Sequence, residues 1–207
     1  MGKDHDIALK RTVSRISRHE AGHWLIGSLL GFEMGAIKIS WGVGGNYRGF
    51  TENNLSFPMA DLSSVRAYAE KRVMVLYAGH LAQATMHGVL NKSEAEGFLT
   101  PGRSDDGSRA EEFIHLIRNL CFPNDTEWAK VHEQIQKIGD ELFDKTADLV
   151  ETHAQVIIGI GGMVTRLVSP TAPLTGEVEL KREVIRAVPE VQKALGKIFQ
   201  VPNIRTP

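Results

Sequence analysis

The 207-residue sequence predicts a mainly α fold of the α+β class, with one small β-sheet or hairpin and a C-terminal helical bundle. Most segments repeat their apolar residues at intervals of three and four, which is the period of an amphipathic helix. One pair of short alternating segments, separated by a glycine-rich turn, is typical of a hairpin. Hydrophobic residues make up 42% of the chain and no long linker interrupts it, so we expect a single domain over residues 1–207.

The charge balance and the cysteine content exclude several classes of protein. There are 24 basic and 25 acidic side chains, a formal net charge of −1, which argues against a nucleic-acid binder that depends on phosphate contacts. The single cysteine, Cys121, fits a reducing compartment. No secretory signal is visible at the amino terminus, and no apolar run is as long as a membrane span. A soluble, cytoplasmic protein is therefore expected.

The first third of the chain predicts a buried helix followed by a hairpin. Residues 10–30 are apolar nearly all round in their second half, as in a buried helix, and Gly31 is expected to end it. Residues 36–41 alternate like a strand, residues 42–46 have turn composition, and residues 47–51 would return as a second strand. Because neither a dinucleotide-binding nor a phosphate-loop pattern is met, a plain hairpin turn is expected.

The remainder predicts more helices, joined by loops at 91–104 and 169–173. The predicted helices cover residues 61–88, 104–120, 123–149, 154–167 and 177–188, with a shorter piece after Pro189. An apolar stripe over 128–149 could form a coiled-coil seam or pack within the domain, and packing within the domain is favoured. His80 and His87 come late in the second helix, so a surface or helix-end position is expected for both.

The chemistry-bearing motif is His19-Glu20-Ala21-Gly22-His23 in the first helix. Residues i and i+4 of a helix lie about one turn apart on one face, so both imidazoles can reach one metal ion. Glu20 lies one position on, where its carboxylate can reach a metal-bound water rather than the metal. A short pattern also arises by chance, and two ordinary core histidines are the alternative.

A third ligand follows from the stripe of the helix that begins near Ser104. Its apolar positions are Ala110, Phe113, Ile114, Ile117 and Leu120 or Cys121. Four residues before Ala110 is Asp106, so Asp106 is expected to point inward and Asp105 towards the cap or solvent. A carboxylate that faces a core needs a partner, and a metal ion is one. The alternative, in which Asp106 caps its own helix, stays open at this point.

Further segments carry a resemblance to one family. Tyr-Arg-Gly-Phe-Thr at 47–51 looks like the strand that follows its first helix, and Leu-Tyr-Ala-Gly-His-Leu-Ala-Gln at 76–83 is similar to its Leu-Leu-Gly-Gly-Arg-Ala-Ala-Glu. Gly-Arg-Ser-Asp-Asp at 102–106 looks like its Gly-Ala-Ser-Asn-Asp, and Leu-Thr-Gly-Glu at 174–177 like its Leu-Asp-Gly-Glu. In this order, over roughly residues 10–188, the chain resembles the peptidase domain of the FtsH-type ATP-dependent zinc metalloproteases.

The resemblance implies a helical, zincin-like metallopeptidase domain. It would comprise a zinc-binding part with the small sheet, residues 1–122, and a helical C-terminal part, residues 123–207. His19, His23 and Asp106 would hold Zn²⁺, with the fourth position left for water. Glu20 would act as the general base on that water, in an enzyme that hydrolyses peptide bonds of unfolded or short polypeptides.

An extended polypeptide substrate could pair with an edge of the small sheet, in the 37–41 or 47–51 region, through main-chain hydrogen bonds. The candidate substrate-binding residues on its two strands are Ile39, Trp41, Arg48, Gly49 and Phe50.

Three departures from the family remain. The ATPase module and the membrane segments are absent, Gly107 stands where Leu is usual, and His80 stands where Arg is typical. A separate ATPase acting in trans could deliver substrates, and a homo-oligomer is left open. The rival interpretation is a catalytically silent, peptidase-like binding or regulatory module, and a third is a structural helical bundle that assembles through the 128–149 stripe.

Overall fold

The structure, a computed structural model, describes residues 2–43, 46–99, 104–168 and 175–196, with side chains from residue 9 onwards. Among these residues the helices are α1 (Gly2–Leu29), α2 (Leu62–Gln83), α3 (Lys92–Leu99), α4 (Asp105–Cys121), α5 (Trp128–Thr152), α6 (Ala154–Leu167), α7 (Arg182–Arg186) and α8 (Pro189–Gly196). The strands are β1 (Glu33–Gly42), β2 (Asn46–Asn54), β3 (Thr85–Met86), β4 (Val89–Leu90) and β5 (Gly176–Leu180). The prediction of a mainly α, α+β fold is confirmed.

Helix α1 is the centre of the fold. Its apolar residues Trp24, Leu25 and Ile26 are fully buried, and the helix packs against α2, α6, β1 and β2. The chain leaves the helix at Gly31, whose φ of 91° lies in the left-handed region that glycine adopts without strain. The predicted stop is therefore confirmed, although α1 begins at Gly2 rather than near residue 10.

Helix α2 begins with the predicted cap and ends earlier than predicted. The Asp61 carboxylate accepts a hydrogen bond from the Ser64 backbone N–H at 2.7 Å, and Ser64 Oγ accepts one from the Asp61 N–H at 3.0 Å. The helix ends at Gln83, not near Gly88, because the chain turns into the β3–β4 hairpin. His87 (φ 53°) and Gly88 (φ 85°) form that turn, and His87 is exposed as expected.

The main sheet has the order β2–β1–β5 and is antiparallel throughout. Ile37 of β1 pairs with Thr51 of β2 on one side and with Leu180 of β5 on the other. The helix predicted over 177–188 is therefore wrong for its first part, which is strand β5, and only Arg182–Arg186 of it is helical. The C-terminal part of the chain thus completes the sheet of the N-terminal part.

Other segments agree with the predictions to different degrees. Helices α4 and α6 lie where the apolar periodicity placed them, whereas α5 begins at Trp128 rather than at 123–125. The loop predicted over 91–104 is wrong for Lys92–Leu99, which is α3. The loop predicted at 169–173 lies outside the described residues. None of the helices in the described ranges combines the length and the hydropathy that crossing a bilayer requires.

Candidate metal centre

Three side-chain atoms from two helices converge on one point. His19 Nε2 and His23 Nε2 are 3.0 Å apart, and each lies 3.1 Å from Asp106 Oδ2. Ligands held at about 2.0–2.1 Å by a tetrahedral metal ion lie about 3.3 Å from one another. The triangle formed by the three atoms is therefore close to the size that a single ion requires.

Local sequence explains why these side chains meet. His19 and His23 are one turn apart on α1, and Asp106 lies in the first turn of α4. Ser104 caps α4, since its Oγ accepts a hydrogen bond from the Gly107 backbone N–H at 3.0 Å. The alternative in which Asp106 caps its own helix is therefore wrong, and its carboxylate is free to face the histidines.

The hydrogen bond on the far side of His23 fixes which ring nitrogen can bind an ion. His23 Nδ1 lies 2.7 Å from the backbone carbonyl oxygen of Val75, which can only accept, so Nδ1 carries the proton. The neutral ring then directs the lone pair of Nε2 at Asp106 Oδ2, which is also an acceptor. Two acceptors at 3.1 Å need a cation between them, either a proton or a metal ion. The residues therefore fit a metal ion.

The charges in the site are balanced in the absence of an ion. Burial alone would lower the pKa of His23, but its hydrogen bond to Asp106, the charges of Asp106 and Glu20 and the hydrogen bond to Val75 together raise it to about 9. Burial would likewise raise the pKa of Asp106, but the hydrogen bonds and charges of His19 and His23 hold it well below its usual range. Without metal, an imidazolium on His23 thus pairs with the Asp106 carboxylate.

Gly79 on α2 leaves the space that the two imidazoles occupy. A Cβ at this position would lie 2.4 Å from His23 Nε2 and 2.7 Å from His19 Nε2, far inside van der Waals contact. Gly79 belongs to the segment at 76–83 that carries part of the family resemblance, but only the packing of α2 on α1 shows why a side chain cannot be accommodated there.

His80 is a third histidine at the site. It lies in the last turn of α2, as the helix-end prediction had it, but it is buried rather than at the surface. The residue is 6% exposed, its Nε2 is 4.0 Å from Asp106 Oδ2 and its ring packs edge-on against that of His19. His19, His80 and Asp106 offer ligand atoms within 4.8 Å of one another, so this group could hold a metal ion. Burial, followed by the charge of His19, lowers the pKa of His80 to about 4, so its ring is neutral at pH 7.

Glu20 is a buried carboxylate in the same cleft. It is 6% exposed, and its Oε2 accepts a hydrogen bond from the Thr51 hydroxyl at 2.7 Å. Oε1 accepts no hydrogen bond from the described residues. Thr51 is 5% exposed and reaches Glu20 from β2. Its role was not predicted, because it depends on how the sheet packs on α1.

The predicted substrate-binding residues separate into two groups. Ile39 is fully buried and Trp41 is 8% exposed on β1, whose two edges both carry hydrogen-bonded strands. The expectation that residues 37–41 offer an edge to a polypeptide is therefore wrong. Gly49 and Phe50 lie on the edge strand β2 and line the cleft, and the exposed Arg48 precedes them.

The cleft has a volume of about 380 Å³ and opens to solvent beside the metal-binding group. Besides Glu20 and the four candidate ligands, its lining includes Arg72, Ser104 and Arg109. In comparisons with known proteins, no family model and no curated protein matches the chain.

Proposed function

We propose that the protein is a zinc-dependent metallopeptidase that hydrolyses peptide bonds in unfolded or short polypeptides. The observation that carries this proposal is the convergence of His19 Nε2, His23 Nε2 and Asp106 Oδ2 within 3.1 Å of one another, at the wall of an open cleft that Glu20 also lines. Three protein ligands with room for a fourth are the arrangement of a catalytic site rather than of a closed structural one.

Two imidazole nitrogens and one carboxylate oxygen suit zinc, which accepts this mixture in tetrahedral geometry. Bound there, zinc would lower the pKa of a water molecule towards neutrality and polarise the substrate carbonyl. The chain's own contribution is to hold the ligands. The Val75 carbonyl accepts the Nδ1 proton of His23 and so fixes the tautomer in which His23 Nε2 can bind the ion.

Glu20 is proposed to move the proton. The Thr51 hydroxyl holds Oε2 at 2.7 Å, which leaves Oε1 to accept a proton from the attacking water. The same carboxyl group then gives that proton to the departing amine, so the carboxylate is restored at the end of the cycle. A general base of this kind contributes about 10²–10⁴-fold to the rate.

The edge strand β2 is proposed to hold the substrate. Its outer edge is unpaired among the described residues, and Gly49, Phe50 and Thr51 line the cleft from it. An extended polypeptide could add to this edge through main-chain hydrogen bonds, which tolerate many sequences. Since only an extended chain can pair in this way, folded substrates would need to be unfolded first, for example by a separate ATPase.

Metal analysis combined with degradation of an unstructured protein tests the proposal. We expect near one zinc per chain and cleavage of unfolded casein by the native protein. Glu20→Gln should keep the zinc and lose at least about 10²-fold in rate, whereas Glu183→Gln, at an exposed glutamate of α7, should keep both. Protein that contains no zinc after careful handling would refute the proposal, and so would a Glu20→Gln variant that cleaves at the native rate.

One observation favours the catalytically silent alternative. His80 Nε2 is 4.0 Å from Asp106 Oδ2, so a small shift would bring a third imidazole to the ion and close its fourth position. In that case the native protein would bind zinc and peptide but release no product, and His80→Ala would create cleavage activity. If the site is catalytic, the native protein itself cleaves the substrate, and no new activity appears in His80→Ala.

A further inference from the structure

Arg72 on α2 is a buried cation without a polar partner. Its side chain is 6% exposed, and among the described residues it forms neither a hydrogen bond nor an ion pair. Its Nε is buried and unsatisfied. The guanidinium lies over the Phe32 ring at 5.8 Å from the centroid, a contact that offsets only part of the cost of burying a charge.

A second arginine in the same protein shows what a structural buried guanidinium looks like. Arg118 on α4 is also 6% exposed, but it donates hydrogen bonds to the side chains of Gln134 and Asn119 and to the backbone carbonyl of Asp125. Buried polar groups are normally satisfied in this way. Arg72 therefore lacks the hydrogen-bond acceptors that surround Arg118. The two arginines also differ in position, since Arg72 lines the cleft of the metal centre and Arg118 does not.

The geometry of α2 sets the distance between Arg72 and the metal centre. Gly79 contacts the two ligand imidazoles and lies seven residues, two helical turns, after Arg72. At 1.5 Å per residue the two Cα atoms are about 10 Å apart along the helix axis. Arg72 thus lines the cleft from a backbone position about 10 Å before the contact of α2 with the imidazoles, a span of about three residues of extended polypeptide.

The charges around Arg72 add to the demand for an anion. Arg109 of α4 also lines the cleft. Burial lowers the pKa of Arg72 most, and the charge of Arg109 lowers it further, whereas the charges of Tyr68 and Asp106 raise it. Asp105 also lines the cleft, but it is exposed and forms no ion pair with either arginine. The Asp106 carboxylate is already paired with the histidines. Two guanidinium groups therefore line a water-accessible cleft in which neither forms an ion pair with a described residue.

We propose that Arg72, assisted by Arg109, binds a carboxylate of the polypeptide substrate about three residues from the cleaved bond. The planar guanidinium suits a carboxylate because two parallel N–H donors can reach both oxygens. This inference rests on the proposed peptidase function and names a substrate class for it. The carboxylate can come from the chain terminus, in which case the protein trims short C-terminal pieces, or from an acidic side chain.

Peptide binding to the zinc-loaded Glu20→Gln variant tests the subsite without turnover. Three eight-residue peptides that carry an uncharged BODIPY label and no other acidic group separate the sources: one with a free C-terminus, one amidated, and one amidated with a single Glu. We expect at least about tenfold tighter binding, by fluorescence anisotropy, for one or both carboxylate-bearing peptides than for the amidated peptide. The peptide that gains affinity identifies the source of the carboxylate. Equal affinity for all three would overturn the proposal.

Variants of two arginines on α2 locate the effect. Arg72→Met, which keeps apolar contact with Phe32, should remove the preference for a carboxylate, and Arg72→Lys should keep only part of it. Arg66→Met, at an exposed arginine paired with Glu70 outside the cleft, should keep all of it. A preference that survives Arg72→Met in a folded protein would contradict the assignment.

The outcome for the subsite is independent of the outcome for the enzyme. Native protein that cleaves the amidated peptide as fast as the others would overturn the anion subsite and leave the peptidase intact. A carboxylate preference in binding, with no cleavage by native protein, would overturn the peptidase and leave the subsite.

Discussion

Gly79→Ala tests the packing of α2 against the two histidines of α1 that are proposed to bind the metal ion. The added Cβ would lie 2.4 Å from His23 Nε2 and 2.7 Å from His19 Nε2, whereas ordinary van der Waals contact begins near 3.4 Å. His23 Nε2 must therefore retreat by about 1.0 Å and His19 Nε2 by about 0.7 Å. Metal–ligand distances tolerate only about 0.2 Å, so both nitrogens would leave the positions in which they can share an ion with Asp106.

The expected result is a loss of metal affinity without a loss of fold. Disturbing a group that only supports a ligand weakens metal binding about 10–100-fold, and this substitution displaces two ligands directly, so we expect at least about 100-fold. Alanine is also a better helix former than glycine by about 1 kcal/mol, which offsets part of an overpacking cost of about 1–3 kcal/mol. The metal-free variant should therefore still fold.

Competition between the protein and a fluorescent zinc chelator gives the affinity, and circular dichroism checks the fold. Gly159→Ala is the matched control, because this helical glycine of α6 has nothing within 4 Å of its Cβ position. That variant should keep its zinc affinity and gain up to about 1 kcal/mol of stability. A folded Gly79→Ala protein that binds zinc as tightly as the native one would refute the reasoning.

Three further predictions concern the surroundings of the site. Thr51→Val removes the hydroxyl that donates to Glu20, and should lower the free energy of unfolding measured in urea by about 1–3 kcal/mol. An unchanged free energy of unfolding would show that this hydrogen bond does not stabilise the fold. Gly22→Ala places a Cβ 2.5 Å from a backbone oxygen of α2, so the free energy of unfolding measured in urea should fall by about 1–3 kcal/mol. The pKa of His23 is raised to about 9 beside Asp106, so its contribution to the stability of the metal-free protein is complete below about pH 6.5 and is lost as the pH rises through 9. Thermal melts of chelator-treated protein should show this fall in stability. Zinc binding at pH 7 should also release protons, which calorimetry in two buffers of different ionisation enthalpy measures. A metal-free melting temperature that rises over this range would contradict the assignment.

The ligand triad could be predicted because it depends on local periodicity. His19 and His23 are one turn apart wherever α1 lies, and the spacing from Ala110 back to Asp106 is fixed by the helix that contains both. Each helix thus presents its ligands from its own sequence, and only their meeting needs the fold. The convergence of His19, His23 and Asp106 was therefore accessible from the sequence, whereas metal binding and the identity of the ion stay predictions.

The parts that were missed depend on contacts between distant segments. The alternation Glu-Val-Glu-Leu at 177–180 is short and made of residues that also form helices, and it becomes strand β5 because β1 offers it an edge. His80 follows helical periodicity like its neighbours, and its burial arises when Ser104 and Phe98 cover it, with the Ser104 hydroxyl at 3.0 Å. No pattern within α2 encodes those neighbours.

The pairing of β1 with β5 also has a consequence for the time at which the molecule becomes complete. Trp41 and its partner Gly176 are separated by 135 positions along the chain. At a synthesis rate of about 5–20 residues per second, β5 is completed roughly 7–27 s after β1. During that interval one side of β1 is an unprotected row of backbone N–H and C=O groups, next to fully buried residues such as Ile37 and Ile39. Newly made chains should therefore be most prone to associate with one another, and to engage chaperones, before residues 176–180 emerge from the ribosome.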